Sequence, residues 1–295
     1  MRWLCYFAVA ALLSPPTVSA QTLREFLYKK TPQGELKLYA HFPSDWKPRQ
    51  KRPAIVFFFG GGFRTGSPRQ FRPQAEYLAA RGMVAFRADY RVSSRHGVTA
   101  DACVEDAKSA VRWIREHARS LGVDPDRLVA SGGSAGGHLA AATALVPGFE
   151  EKQATVSSRP NLLVLFNPVL NTAIARSRPE LAPVWRQISP NHFFTRPAPP
   201  TLIFFGDRDR LLATGREYMQ KARRFRCPAW LYVAAGQRHG FFNREPYRTA
   251  TLWLVDRFLA RYGYVTGEPT LTLPAEADIK LEASSAEGDF LPRQQ

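Results

Sequence analysis

The sequence predicts an α/β fold: a three-layer sandwich in which a mostly parallel, eight-stranded sheet lies between two layers of helices. Two observations predict it. From residue 54 onward, short apolar runs alternate with segments of helical periodicity, an order typical of parallel strands joined by crossover helices. In addition, residues 54–59 are continuously apolar, as expected for a strand that is buried on both faces of such a sheet.

The predicted elements follow this alternation along the chain. A hairpin with a turn at Gln33-Gly34 is the first predicted feature after the N-terminal apolar segment. Gly82 and Gly122 mark the ends of the first two helices. The eight strands are predicted near residues 24–30, 35–42, 54–59, 83–87, 127–131, 162–166, 202–205 and 230–234. The helices are predicted at residues 70–81, 101–121, 138–145, 216–225 and 247–262.

Two segments break the pattern. Residues 171–200 are rich in proline and have no clear period, which indicates a short insertion over the sheet. Residues 265–295 contain six acidic and two basic side chains with little apolar periodicity. We expect a catalytic domain over residues 21–264, followed by an acidic C-terminal extension outside the core, with disorder as one alternative.

The composition excludes several classes of protein. With 45% hydrophobic and 22% charged residues, the chain of 295 residues is not typical of a disordered protein. Its net charge of +16 first suggests a nucleic-acid-binding protein, but the arginines are scattered and no nucleic-acid motif is present. We therefore expect no nucleic-acid partner. A solvated basic surface is the simplest interpretation, and attraction to acidic polymers such as uronic-acid polysaccharides is the functional alternative.

The N-terminus is typical of a cleavable signal peptide. In residues 1–20, Arg2 precedes an apolar run over residues 3–13, and Val18-Ser19-Ala20 is a small-residue cleavage pattern. This predicts a mature chain that begins at Gln21 and is secreted or periplasmic, with an uncleaved anchor as the alternative. No later apolar run is long enough to cross a bilayer, so we expect no stable membrane insertion of the mature chain.

No cofactor or metal is inferred from the sequence. The mature chain retains Cys103 and Cys227, neither of which lies in a Cys-His cluster with zinc spacing. We expect both to be buried free thiols, although export would permit a disulfide. No carboxylate pair of the glycosidase type presents itself.

The strongest motif is Gly132-Gly133-Ser134-Ala135-Gly136, which matches G-x-S-x-G. A predicted strand enters it and a predicted helix leaves it, as a nucleophile elbow requires, since a sharp strand-to-helix turn lifts the serine hydroxyl into the open. The alternative is a glycine-rich loop that binds an anion at the helix N-terminus.

A nucleophilic serine needs a base, and in enzymes with this elbow the base follows the serine in the chain. His138, His192 and His239 do so. His138 lies in the helix that leaves the elbow and is interpreted as a packing residue. His239 is favoured because it follows the last strand of the parallel sheet, at the edge where catalytic groups collect.

The base needs an acid that orients it, and the reaction needs donors for an oxyanion. Asp207 and Asp209 both lie in the loop after the preceding strand, and Asp209 is favoured for its reach, while Asp207 could serve as a turn residue. The amide of Ala135 is one candidate oxyanion donor, and others are expected from the glycine-rich residues 60–63.

Taken in this order, the elements resemble the α/β-hydrolase superfamily over roughly residues 22–264. Within it the chain is similar to bacterial esterases related to hormone-sensitive lipase and to feruloyl and acetylxylan esterases, the BD-FAE-like and fold-3 families. The resemblance is carried by residues 58–63, 88–91, 106–113, 132–137, 206–209 and 239–241. It implies a catalytic triad and an oxyanion hole, formed respectively by Ser134, Asp209 and His239 and by Gly61, Gly62 and Ala135.

One departure from the family is Phe59, which stands where a structural histidine often precedes the glycines. It puts the rigidity of this loop in question more than the chemistry of the site. The resemblance implies a serine esterase, and the signal peptide predicts that it is exported. Its expected substrates are short acyl (acetyl) or hydroxycinnamoyl esters of polysaccharides or small alcohols, because a short insertion does not suit a large lipid-activated lid. The alternatives are a prolyl-oligopeptidase-like exopeptidase and a catalytically silent binding protein of the same fold.

Overall fold

The structure is a computed structural model that describes residues 22–195 and 197–285. The signal peptide predicted at residues 1–20 lies outside the described residues, as do the last ten residues of the predicted acidic extension.

Nine strands in the described part of the chain form one mixed sheet. They are β1 (Thr22–Thr31), β2 (Gly34–Phe42), β3 (Arg52–Phe58), β4 (Val84–Ala88), β5 (Val123–Gly133), β6 (Leu162–Phe166), β7 (Thr201–Gly206), β8 (Ala229–Ala234) and β9 (Ile279–Ser284). The order across the sheet is β1-β2-β4-β3-β5-β6-β7-β8-β9. The neighbours from β4 to β8 pair in parallel, whereas β1 and β2 at one edge and β9 at the other pair antiparallel.

Helices connect the parallel strands. The described α-helices are α1 (Arg72–Ala80), α2 (Ser93–His96), α3 (Ala100–Glu116), α4 (Ala118–Leu121), α5 (Ala135–Leu145), α6 (Leu212–Arg224) and α7 (Tyr247–Arg261). Short 3-10 helices lie at Pro68–Phe71, Thr172–Ala175 and Phe241–Asn243. The helix predicted at residues 101–121 is thus divided in two at His117. Of the helices that the structure describes, not one is both long and apolar enough to span a membrane.

Each face of the sheet carries a hydrophobic core, because side chains alternate along every strand. In β3, the side chains of Val56 and Phe58 join one core, and those of Ile55 and Phe57 join the other. Helices α3, α5 and α6 cover the first face, and α1 and α7 cover the second. The predicted three-layer α/β sandwich is therefore confirmed.

The C-terminal extension differs from the prediction. It was expected to lie outside the core, but β9 pairs antiparallel with β8 and adds a ninth strand to the predicted eight. Ile279 and Leu281 pack against the core, and Arg216 binds the carboxylate of Glu282 through two bonds of 2.7 and 2.9 Å. The prediction is wrong for residues 279–284, because the acidic composition of the segment obscured a short alternating pattern.

The parallel strands place their carboxyl ends at one edge of the sheet, where sites of α/β proteins form. Gly60 follows β3, Ser134 follows β5, and Asn167 follows β6. Asp209 and His239 lie in the loops after β7 and β8. Residues that are far apart in the chain are thereby gathered in one place.

Candidate active site

Ser134 lies at a strained turn between β5 and α5. Its backbone has φ 55° and ψ −115°, a conformation that non-glycine residues adopt only when the surrounding structure holds it. The Ser134 amide donates to the carbonyl of Phe166 at 2.9 Å, and its carbonyl accepts from the amide of His138 at 3.0 Å. The turn is therefore held from β6 on one side and from α5 on the other.

The glycines around this serine allow α5 to approach β3 closely. A Cβ on Gly136 would lie 2.0 Å from the carbonyl oxygen of Phe58, and one on Gly132 would lie 2.4 Å from the backbone of Gly136. No side chain fits at these distances. The elbow predicted from the G-x-S-x-G spacing thus matches the observed strand, turn and helix.

The structure brings Ser134, His239 and Asp209 together in one hydrogen-bonded chain. His239 Nε2 lies 2.8 Å from Ser134 Oγ, and His239 Nδ1 lies 2.7 Å from Asp209 Oδ2. The Asp209 side chain is fully buried, and its Oδ1 accepts the amide of Leu211 at 2.9 Å. The imidazole is 42% exposed. This arrangement can remove a proton from the serine hydroxyl and stabilise the resulting imidazolium.

The alternatives weighed from the sequence lie elsewhere. Asp207 Oδ2 accepts the amide of Gly236 at 2.9 Å, a contact within a turn. His138 is buried and its Nδ1 donates to the carbonyl of Val169 at 2.9 Å, and burial lowers its pKa to about 4. His192 packs edge-on against Trp185.

The glycine-rich loop after β3 borders the same cavity as Ser134 and His239. The Gly60 amide donates to Gln70 Oε1 at 2.6 Å and is therefore occupied. The amides of Gly61 and Gly62 make no hydrogen bond within the described residues. Ala135 is the first residue of α5, where amides have no carbonyl partner in their own helix. These three amides are the available donors beside the serine.

Phe59, which precedes the glycine loop, is held firmly by its neighbours. Its ring is buried and stacks on Tyr90 with a centroid distance of 4.0 Å. The Tyr90 hydroxyl donates to the Phe59 carbonyl at 2.7 Å. Gly66 lies against the same ring, since a Cβ there would be 2.5 Å from Phe59 Cδ2. Aromatic packing therefore fixes the start of the glycine loop.

Sequence reasoning missed three polar residues that connect the loops of the site. Gln70 Nε2 donates to Asn243 Oδ1 at 3.0 Å, and Asn243 Nδ2 donates to the carbonyl of Gly240 at 2.9 Å. Asn167 is fully buried, and its Oδ1 accepts the amide of Gly240 at 3.0 Å. The loop that carries His239 is thus tied both to the glycine loop and to the end of β6. The position of Asn167 directly after a strand was the available signal.

A cavity of about 390 Å³ opens beside Ser134. Residues 171–200, predicted as an insertion over the sheet, contribute Ile174, Ala175, Arg178 and Leu181 to its wall. Val169 and Leu211 add apolar surface. A second cavity along the glycine loop is also lined by Ser134 and His239. Ser134 therefore borders two cavities, and an ester has two parts to accommodate.

The described residues contain no group of three or more His, Cys, Asp or Glu side chains that could hold a metal ion. Cys103 and Cys227 are free and buried, and burial raises the pKa of both thiols.

The chain matches a protein family, several curated esterases and a group of solved structures. Residues 41–172 match the BD-FAE family. The chain is 29% identical over 196 residues to the esterase LipQ of Mycobacterium tuberculosis, covering 58% of this chain and 45% of LipQ. It is 26% identical over 271 residues to the esterase LipC of the same organism, covering 80% of this chain and 65% of LipC. The chain thus spans less than half of the length of LipQ.

Solved structures of esterase 2 from Thermogutta terrifontis cover more of the chain. The form phosphonylated by cyclosarin is 45% identical with a TM-score of 0.79, and the match covers 88% of this chain and 100% of that one. The propionate-bound form is 45% identical with a TM-score of 0.78, covering 86% and 98% of the two chains. A butyrate-bound form is 44% identical with the same TM-score, covering 86% and 98%.

Proposed function

Since this chain belongs to the α/β-hydrolase esterase family, we propose that it is an exported serine carboxylesterase with Ser134 as nucleophile, His239 as base and Asp209 as the acid that orients the base. The single observation that carries the proposal is the chain of hydrogen bonds of 2.8 and 2.7 Å from Ser134 Oγ through His239 to Asp209. Ser134 and His239 line a cavity, so a substrate can reach the serine hydroxyl.

Acylation begins when Ser134 Oγ attacks the ester carbonyl and its proton passes to His239 Nε2. Asp209 holds the imidazole with Nδ1–H towards its carboxylate, so that Nε2 is free to accept that proton. Negative charge develops on the carbonyl oxygen. The amides of Ala135, Gly61 and Gly62 would donate to it, and losing one such donor typically lowers kcat about 10²–10³-fold.

The tetrahedral intermediate collapses when the C–O bond to the alcohol breaks and His239 returns the proton to the leaving alkoxide. A water molecule then attacks the acyl-serine ester, giving its proton to His239 Nε2. The second tetrahedral intermediate releases the carboxylic acid and restores the Ser134 hydroxyl. One water is consumed, and one alcohol and one acid are released.

Short acyl groups and hydroxycinnamoyl groups are the proposed acyl substrates, on polysaccharides or small alcohols. The related T. terrifontis esterase 2 has been solved with propionate and with butyrate bound, and it forms adducts with organophosphates. In this chain the insertion of residues 171–200 forms a wall rather than a large lid. The predicted signal peptide favours a substrate outside the cytoplasm.

The test is hydrolysis of 4-nitrophenyl acetate, butyrate and decanoate by residues 21–295, with Ser134→Ala as the inactive control. We expect acetate or butyrate to be preferred and the variant to lose turnover. Labelling of the wild-type serine by a fluorophosphonate provides a second readout. Cleavage of Xaa-Pro anilides without ester hydrolysis would instead indicate an exopeptidase. A folded protein that hydrolyses none of these substrates and does not react with the fluorophosphonate would indicate a catalytically silent binding protein.

Measuring the release of acetate from acetylated xylan and of ferulate from methyl ferulate then identifies which acyl group the enzyme removes. Activity restricted to decanoate and longer esters would contradict the proposed substrate class.

A further inference from the structure

The cavity beside Ser134 combines an apolar wall with four arginines. Val169, Ile174, Leu181 and Leu211 supply the apolar part. The four arginines in the described lining are Arg178, Arg208, Arg210 and Arg238. They come from three separate segments that meet only in the fold, so the cluster cannot be ascribed to a local basic run.

Three of the four arginines adjoin triad residues in the chain. Arg208 and Arg210 flank Asp209 in the chain, and Arg238 precedes His239. Arg178 reaches over the glycine loop from the insertion, because a Cβ on Gly62 would lie 2.7 Å from Arg178 Nη1. All four arginines are exposed and border the cavity that contains Ser134.

No ion pair joins these arginines to an acidic side chain among the described residues. In the part of the chain that the structure describes, no carboxylate lies within 4.0 Å of any of the four, while ten other arginines form ion pairs. Asp209 is the only carboxylate in the described lining, and both of its oxygens are occupied by His239 and by the Leu211 amide. Glu180 lines the neighbouring groove with Arg178, and its Oε1 accepts the Ser93 hydroxyl at 3.3 Å.

An uncompensated positive cluster at a cleft attracts anions, because apolar walls reduce the screening by water. A guanidinium also presents paired N–H donors that match the two oxygens of a carboxylate. The apolar wall provides contact for a hydrocarbon part of the same ligand.

We propose that the natural ester is anionic: a carboxylate, on the acyl or on the alcohol part, lies against Arg178, Arg208, Arg210 and Arg238 while Ser134 attacks the ester carbonyl. This inference rests on the proposed esterase function and adds the charge of its substrate.

Two matched pairs of esters test it. For the acyl side, 4-nitrophenyl hemiglutarate is compared with the neutral 4-nitrophenyl pentanoate. For the alcohol side, 4-acetoxybenzoate is compared with the neutral 4-acetoxybenzamide. In at least one pair we expect kcat/KM of the charged ester to exceed that of the neutral ester by roughly tenfold at low salt. The ratio should fall as the ionic strength rises from about 0.02 to 0.5 M.

Variants that remove one positive charge test whether these arginines cause the preference for the charged ester. Arg178→Gln, Arg208→Gln and Arg238→Gln should each lower the charged-to-neutral ratio of kcat/KM by roughly threefold to tenfold. Arg223→Gln is the matched control, since it removes the same charge from an exposed position about 20 Å from the cavity along α6. The control should retain the wild-type ratio.

The outcomes separate this inference from the esterase function. If the wild type hydrolyses the neutral esters through Ser134 but prefers neither charged ester, the anionic substrate is wrong and the esterase stands. Variants that behave like Arg223→Gln would also overturn it. If none of the four esters is hydrolysed while the protein is folded, both proposals fail.

Discussion

Gly136→Ala should disable the site through a backbone clash that involves none of the reacting atoms. The new Cβ would lie 2.0 Å from the Phe58 carbonyl oxygen, whereas real Cβ contacts are essentially never shorter than 3.0 Å. Either α5 or the end of β3 must therefore move by at least 1.0 Å. Since β3 leads directly into the glycine loop and α5 begins at Ala135, either movement separates the serine from its oxyanion donors. A displacement of this size costs on the order of 10²-fold in kcat.

Gly137→Ala is the matched control. There the new Cβ would lie 2.9 Å from Pro168 Cβ and 3.0 Å from the Gly132 carbonyl oxygen, so relief needs a shift of only a few tenths of an ångström, much less than at Gly136. We expect kcat within a few-fold of wild type.

The assay is kcat on 4-nitrophenyl butyrate together with thermal unfolding. Overpacking typically costs about 1–3 kcal/mol, so Tm of Gly136→Ala should fall by roughly 2–12 °C while the protein stays folded. Equal kcat and equal Tm for Gly136→Ala and wild type would refute the reasoning, because α5 would then not pack against β3 as described.

Three further outcomes are expected. Asp209→Asn should lower kcat by up to about 10⁴-fold, whereas Asp207→Asn should not, and similar losses in steady-state assays of both would contradict the geometry. Because burial lowers the pKa of His138 to about 4, the unfolded chain binds a proton that the folded chain does not between about pH 6.5 and 4. The free energy of unfolding should therefore fall by roughly 3 kcal/mol as the pH falls through this window, and urea titrations of His138→Gln should show a smaller change. Asp256→Ala removes the partner of Arg81, bound at 2.6 and 3.1 Å in a buried pair, and should cost about 3–5 kcal/mol by denaturant unfolding; a cost below about 1 kcal/mol would show that the pair is dispensable.

The parallel core and the nucleophile elbow were predictable because their signals are local. A strand buried on both faces must be continuously apolar, and β3 is. A strained turn between a strand and a helix needs small residues, and Gly132 and Gly136 provide them. The base was expected to follow the serine in the chain and to lie in a loop at the carboxyl edge of the sheet, and His239 meets both conditions.

The choice between Asp207 and Asp209 could not be settled from the sequence, because two residues in one loop differ only in where their side chains point. The ties made by Gln70, Asn167 and Asn243 were missed for a related reason. The contacts between loops join Gln70 to Asn243, 173 residues apart, and Asn167 to Gly240, 73 residues apart. No spacing in the chain predicts contacts over such separations.

β9 has a consequence for handling the protein. A chain truncated after residue 264 would leave the outer edge of β8 with unpaired amides and carbonyls, a template on which another molecule can add a strand. Such a fragment should self-associate during concentration, although every triad residue is present. In the intact protein β9 occupies this edge of β8, so the strand that leads into the His239 loop has a partner on both sides.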